Sequence, residues 1–437
     1  MFMQMIDYLK DKTVLIMGFG REGRSTYDFL RRYLPEKELT VSDMKQIELD
    51  DKHTRLICGE NYMDAINDFD VVIKSPGISV RDVTINPAVE VTCQSDLFLR
   101  YSGCRCVGIT GTKGKTTTST LTYLVLKAAG IPTCLIGNIG VPVFEMLEKC
   151  EGLTPVIEMS SHQLEFCRKS PYISVLTNIY EEHLDHYNGM AGYVGAKLNI
   201  FRNQDESCHF IYAPQKELAD WFSFDEVKST VHSIGDASLA DDVFLKKVAD
   251  DTKALVGAHN KRDVLFAAAV ARILGVSNED IANGVSEFKG IPHRMEYVGS
   301  FNGISFYNDS IATIPHAVMC GVAALDNIQT LIIGGMDRGL DYSDFVEDLY
   351  ACPVRNLICL PETGHKIGDA LLQKGSAQCI IKVEDMVQAV KEAFAHTKSG
   401  YACLLSPAAS SYNVYKNFEE KGEHYKKLIW EFSVTER

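Results

Sequence analysis

The run CVGITGTKGKTTTSTLTYLVLKAAG at 106–130 constrains this chain more than any other stretch. A short apolar segment enters a loop containing Gly108, Gly111 and Gly114, and a helical pattern follows up to Gly130. Glycines there let backbone N–H groups close around phosphate oxygens at a helix N-terminus, which already favours anions. Lys115 is spaced to reach the terminal phosphates, and the Thr116 hydroxyl to ligate magnesium. The spacing departs from the standard Gly-x-x-x-x-Gly-Lys loop: Gly108 sits one residue too early and Gly111 two too late. A strand, glycine loop and helix in this order belong to a parallel sheet, so the chain is predicted to be α/β.

The same alternation recurs. Short apolar runs TVLIMG at 13–18, LTVSD at 39–43 and DVVIKSPG at 70–77 frame a helical pattern over 25–33. TPVIEMS at 154–160 and ISVLTNI at 173–179 follow the glycine loop, and GISFYNDS, TLIIGGMD, NLICL and YACLLSP carry the pattern to the end. A chain of 437 residues exceeds one ordinary core. New units begin near Arg105 and after GIPHRMEYV, so three α/β domains are predicted at 1–103, 104–296 and 297–437, the first and last Rossmann-like and the middle one of the phosphate-loop ATPase type.

Composition narrows the function. With 44 basic against 58 acidic residues the net charge is −14, which argues against nucleic-acid partners. Phosphorylated ligands must then be held by local loops and single cations. No run approaches the roughly 18 apolar residues of a membrane span. Asp7, Lys10, Asp11 and Lys12 break up the start, so no signal peptide is read there. Thirteen cysteines without a CxxC pair fit reduced thiols and a cytoplasmic protein without membrane partners.

Four further motifs carry chemistry. GFGREG at 18–23 is a GxGxxG between strand and helix, with Gly18, Gly20 and Gly23 placed to admit a pyrophosphate and Asp43 where a ribose-binding acid stands. By itself it fits a nicotinamide-dependent dehydrogenase, or a tight turn with no ligand. One dehydrogenase does not need a second, triphosphate-type loop. In EMSSHQLE, Glu158 ends a buried strand, where a carboxylate is costly unless paired or metal-bound. In TNIYEEHLDHY, Glu182, His183, Asp185 and His186 cluster after a buried strand, the usual place for a site in open α/β sheets; a zinc site is the weaker reading there. Lys197 in AKLNIF lies among apolar neighbours, and a lysine with a buried stem and a free head is the ordinary expectation.

Together GITGTKGKTT, EMSSHQLE, TNIYEEHLDHY, AKLNIF, GAHN, GIPHRMEYV, NDSIAT and LSPAASSYNVYKNFEEKG resemble the Mur ligases in order and spacing, over essentially the whole chain. The resemblance implies an ATP-dependent, ADP-forming ligase of peptidoglycan precursor synthesis, working through an acyl phosphate. It implies UDP-N-acetylmuramoyl-L-alanine and D-glutamate as substrates, and a monomer. GFGREG then cradles a UDP diphosphate, with Asp43, Ser75 and Gly77 beside it, and Asn138, Gly140, Ser160 and Gln163 touch the muramoyl part. ATP falls to Gly111, Thr112, Lys113, Gly114, Lys115, Thr116, Thr117, Asn260, Arg294 and Asp309. Two magnesium ions are implied, with Thr116, Glu158, His183 and a carbamylated Lys197 as ligands. Lys115, Glu182, His183 and Lys197 are the implied catalytic set, and Thr313, Arg338, Ser411 and Phe418 receive the glutamate. The rivals are another Mur or folylpolyglutamate-type ligase with a different amino acid, the dehydrogenase, and a non-catalytic nucleotide-binding regulator.

The sequence departs from the family pattern at five places. Lys113 stands for Asn, Glu182 for Asp, Asp263 for Asn, Ile311 for Lys and Arg338 for Lys. Asp263 as a carboxylate cannot donate as an amide does. Arg338 keeps a cation but grips a carboxylate bidentately.

Overall fold

The computed structural model describes residues 2–252, 254–255, 258–412 and 414–435. Gly257 of GAHN lies outside them. The chain forms two compact units, Met1–Ala249 with Arg262–Glu287, and Asp250–Lys261 with Phe288–Arg437.

The first unit holds two sheets. One is built from β1 (Val14–Met17), β2 (Leu39–Asp43), β3 (Thr54–Cys58), β4 (Val71–Lys74) and β5 (Glu90–Thr92), in the order β3-β2-β1-β4-β5. All its neighbours are parallel. All four residues of β1 and of β4 are buried, as continuous apolar strands covered on both faces should be. The strand order reverses at β1, which opens a crevice beyond the C-terminal ends of β1 and β4. The helix Arg21–Tyr33 starts there, four residues before the 25–33 predicted, because Gly20 to Gly23 already take up its first turn.

The second sheet consists of β6 (Val107–Thr110), β7 (Thr133–Gly137), β8 (Thr154–Glu158), β9 (Ile173–Leu176), β10 (His209–Tyr212) and β11 (Thr230–Ser233), ordered β11-β10-β9-β6-β8-β7 and parallel throughout. Its order reverses at β6, so its crevice lies at the glycine loop. The two sheets share one apolar cluster; Phe29 of the first meets Phe144 of the second with ring centroids 5.0 Å apart.

The second unit carries β12 (Glu296–Phe301), β13 (Ile304–Asn308), β14 (Ile328–Ile333), β15 (Asn356–Cys359), β16 (Cys379–Lys382) and β17 (Ala402–Leu405), ordered β12-β13-β17-β14-β15-β16. Only β12 and β13 pair antiparallel, with a register shift between Tyr297 and Gly299. The loops that follow β13, β14 and β17 leave the same end of the sheet. The fold is thus α/β with three mainly parallel sheets, as the sequence predicts.

Candidate active site

The glycine loop is formed and held before any ligand is considered. Gly111 has φ +152° and Gly114 +82°. A Cβ on Gly111 would stand 1.9 Å from the Thr177 hydroxyl, so no side chain fits there. The segment after β9 clamps the loop from outside. Thr112 N–H donates to the Asn178 carbonyl at 2.9 Å, and Lys113 N–H to Asn178 Oδ1 at 2.8 Å. Asn178 Nδ2 and Thr177 Oγ1 both donate to the Lys113 carbonyl, at 2.9 and 2.6 Å. Lys115, which opens the helix Lys115–Ala128, folds its ammonium back onto the carbonyls of Gly111 and Thr112, each at 2.9 Å. Thr116 follows in the first turn, half-buried, with Thr117 buried behind it.

Glu158 ends β8 at 1% exposure. Its Oε1 accepts from Asn138 Nδ2 at 2.6 Å, but Oε2 is buried with no donor among the described residues. An unmet buried oxygen costs about 1–3 kcal/mol, and more when charged. Lys197 is equally buried, on the helix Met190–Leu198. Its head is not free: Nζ donates to the Gly111 carbonyl at 2.7 Å and lies 4.8 Å from the centre of the Tyr193 ring. Burial, then the charge of Lys115, push its amine well below the usual lysine range, against the pull of Glu182 and Glu158.

His183 adopts the left-handed conformation at φ +55° and is half-exposed beside Glu182. Two of the five departures meet here: Lys113 Nζ contacts Glu182 Oε1 at 2.7 Å. Burial pushes the Glu182 carboxyl up, but the bond and charge of Lys113 outweigh it and leave the group below the usual range. The His162 ring packs against His183 and His186 at 4.8 and 4.2 Å. Burial and those two rings hold His162 down at about 3, so it stays neutral. The side chain of Asp185 is outside the described set.

Beneath the loop lies Asp263, 4% exposed, with the Thr118 hydroxyl beside its carboxyl. A Cβ on Gly114 would stand 3.0 Å from its Oδ1. Burial raises its carboxyl to about 8, against the lowering effect of Arg262. Sequence reasoning also passed over Tyr193 and Asn178. Tyr193 precedes Lys197 by one helical turn, and its hydroxyl meets Thr112 Oγ1 at 2.8 Å.

A cavity of about 530 Å³ opens beyond β1 and β4, lined by Gly18, Gly20, Asp43, Ser75, Gly77 and Asn138 among others. A Cβ on Gly23 would fall 1.9 Å from the Gly18 carbonyl, so this glycine lets helix and turn touch. Asp43 caps the turn, with Oδ2 accepting from Phe19 N–H at 2.6 Å and Oδ1 from Lys45 N–H at 2.9 Å. Ser160 and Gln163 form a capping box, and Gln163 Nε2 donates to Glu22 at 2.6 Å. The Gly140 carbonyl accepts from Arg21. Gly140, Ser160 and Gln163 therefore already have partners within the unit, and they are not among the cavity's lining residues.

In the second unit, Asp309 follows β13 with both oxygens engaged: Oδ1 by Met295 N–H at 3.1 Å, Oδ2 by Ser406 at 2.9 Å. Burial lifts its carboxyl to about 6. Arg294 and Arg338 are exposed, Asn260 and Thr313 half-buried, and Ser411 buried with its hydroxyl unpartnered. The Phe418 ring lies 6.0 Å from His293.

Residues 109–271 match the profile of the Mur ligase middle domain, and 293–409 that of the Mur ligase, glutamate ligase domain. Among curated proteins, the chain is 33% identical to the UDP-N-acetylmuramoylalanine--D-glutamate ligase of Ligilactobacillus salivarius, over 97% of each chain. It is 32% identical to that of Streptococcus agalactiae, over 97% of this chain and 98% of the other. Among solved structures, a UDP-N-acetylmuramate-alanine ligase from Thermotoga maritima aligns over 98% of this chain and all of its own, with TM-score 0.55 at 18% identity. A MurF ligase from Thermotoga maritima, in complex with ADP, aligns over 97% of each chain with TM-score 0.53 at 15% identity.

Proposed function

The chain belongs to the Mur ligase family, and from that premise we propose that it adds D-glutamate to UDP-N-acetylmuramoyl-L-alanine at the expense of ATP. The observation that carries this reading is the meeting of a clamped glycine loop, a half-satisfied buried Glu158 and a buried, hydrogen-bonded Lys197 at one end of one sheet.

In the reaction, a carboxylate oxygen of the muramoyl substrate attacks the γ-phosphorus and ADP leaves. The glutamate amine then attacks the acyl phosphate carbon, the amide forms, and phosphate departs. Backbone N–H groups of Gly111 and Gly114 cradle the triphosphate, while Thr112 and Lys113, whose N–H groups Asn178 holds, shape the loop around it. Lys115 leaves its carbonyl partners to follow the negative charge. Thr117, Asn260, Arg294 and Asp309 complete the ATP contacts. The cavity at Gly18, Gly20, Asp43, Ser75 and Gly77, with Gly23 packed behind the turn, takes the UDP diphosphate in place of NAD, with Asn138, Gly140, Ser160 and Gln163 toward the sugar. Glu182, an anion beside His183, takes the proton from the attacking amine. Thr313, Arg338, Ser411 and Phe418 receive the amino acid.

The donors fit a hard cation: Glu158 has an unclaimed oxygen, and Thr116 supplies a hydroxyl. His183 and Lys197 form the second candidate position, where Lys197 serves only after its amine has added carbon dioxide and released a proton to become a carbamate anion. Two magnesium ions bound there would offset the charge of the transferring phosphoryl group. We place the enzyme in the cytoplasm, as a monomer with domains at 1–103, 104–296 and 297–437. No helix of the described residues is long and apolar enough to cross a membrane. The direct check is Lys115→Ala, which should keep the wild-type melting temperature and lose phosphate release by about a thousandfold. Near-normal release would remove the loop from the mechanism.

A further inference from the structure

In the second unit Lys421 is 2% exposed, in the first turn of the helix Phe418–Thr435. The placement is electrostatically unfavourable twice over. The N-terminal turn of a helix already presents positive partial charge, and an ammonium removed from water calls for an anion. No carboxylate among the described residues is paired with it; its hydrogen bond runs from Nζ to the Gly334 carbonyl at 2.8 Å. Burial alone holds its amine down at about 7.

Its neighbours explain what the charge faces. A Cβ on Gly335 would stand 3.3 Å from Lys421 Nζ and 2.3 Å from the Ser410 carbonyl. Met336 N–H closes the same junction by donating to the Ser410 carbonyl at 2.9 Å. Lys421 therefore sits where the turn after β14 meets the turn after β17. Those turns lead to Arg338 and carry Ser411. The Ser410 and Ser411 hydroxyls are both buried and without a partner among the described residues. The junction thus combines an amine that no carboxylate of the described residues meets, and that is poised to take up its charge beside an incoming anion, with hydroxyls unused among the described residues.

We propose that Lys421 is a specificity-determining residue whose positive charge, set behind the wall of Gly334, Gly335, Ser410 and Ser411, selects an amino acid with an acidic side chain. It acts through the field at the pocket and by holding the Gly334 carbonyl, without touching the reacting atoms. This rests on the reading that the last domain receives the amino acid.

The test uses the full chain with Lys421→Met and Lys421→Arg, with D-glutamate and its neutral isostere D-glutamine as acceptors. Hydroxylamine trapping of the acyl phosphate, in the absence of any amino acid, reports the first half-reaction. Lys421→Met should raise KM for D-glutamate about tenfold, the scale of a partly buried charge acting at a distance and not by contact. The preference for D-glutamate over D-glutamine should fall by a similar factor, with trapping unchanged. Lys421→Arg should restore most of that preference. If Lys421→Met does not fold, Lys421→Gln carries the same comparison. Equal effects on both amino acids, or a KM for D-glutamate within about threefold of wild type, would overturn the proposal. Wild-type turnover with D-glutamate judges the underlying reading separately; a wild type that traps acyl phosphate but refuses every acidic amino acid overturns that reading first.

Discussion

Two buried ionisable side chains at the phosphate loop are pushed toward their neutral forms by burial, and each makes a measurable prediction. Asp263, with its carboxyl at about 8, keeps a proton in the folded state that the unfolded chain gives up near pH 4. Between those values the folded state binds more protons than the unfolded one, so this residue makes stability fall as pH rises from about 4 to 8. The slope reaches about 1.4 kcal/mol per pH unit at its steepest and ends above pH 8. Asp263→Asn should flatten it, read as unfolding midpoints at pH 5 and pH 8; equal slopes in both proteins would contradict the assignment. The amine of Lys197 is depressed by burial and by Lys115. As free base it is a nucleophile toward carbon dioxide, so ¹³C-labelled bicarbonate should give a carbamate resonance that Lys197→Arg lacks. No resonance in a fully active wild type would leave Lys197 as a hydrogen-bonding prop of Gly111.

The helix Lys115–Ala128 shows where local preference and packing disagree. The helix Asn278–Ser286 lies against it, with Gly284 so close that a Cβ would stand 2.4 Å from the Val125 Cα. Helix propensity alone says that Gly284→Ala stabilises by about 0.5–1 kcal/mol. Packing says the opposite: the helices must part, at a cost of about 1–3 kcal/mol, and the loop at the head of the first helix moves with them. We expect a lower melting temperature and a higher KM for ATP; a stabilised, fully active variant would mean the helices part freely. The same contrast decides which elements were legible in the sequence. Central strands such as β1, β4, β6 and β17 are buried at every position and read as apolar runs. The edge strands β3, β11 and β16 are half-exposed and carry no such run, so they went unread. The glycine loop was legible because its chemistry is local. The clamp by Asn178 and Tyr193, the pairing of Lys113 with Glu182 and the bareness of Lys421 depend on residues distant in sequence.

At the scale of the molecule, a chain of net charge −14 is proposed to bind three anionic ligands. On the proposed reading it meets that demand with cations and backbone N–H groups at the strand ends of its sheets: Lys115 at the sheet centred on β6, and Arg338 with Lys421 at the sheet that contains β14 and β17. Because overall charge works against binding, specificity has to reside in these local sets, and the identity of the amino acid is the sharpest thing they determine. The decisive measurement incubates the enzyme with ATP, magnesium and UDP-N-acetylmuramoyl-L-alanine, adds one amino acid at a time, and reads phosphate release and product mass together. The expected result is a product heavier by one glutamate residue, formed with D-glutamate and matched by equal phosphate. A product with some other amino acid and none with D-glutamate, or phosphate release without any ligated product, would contradict the assignment.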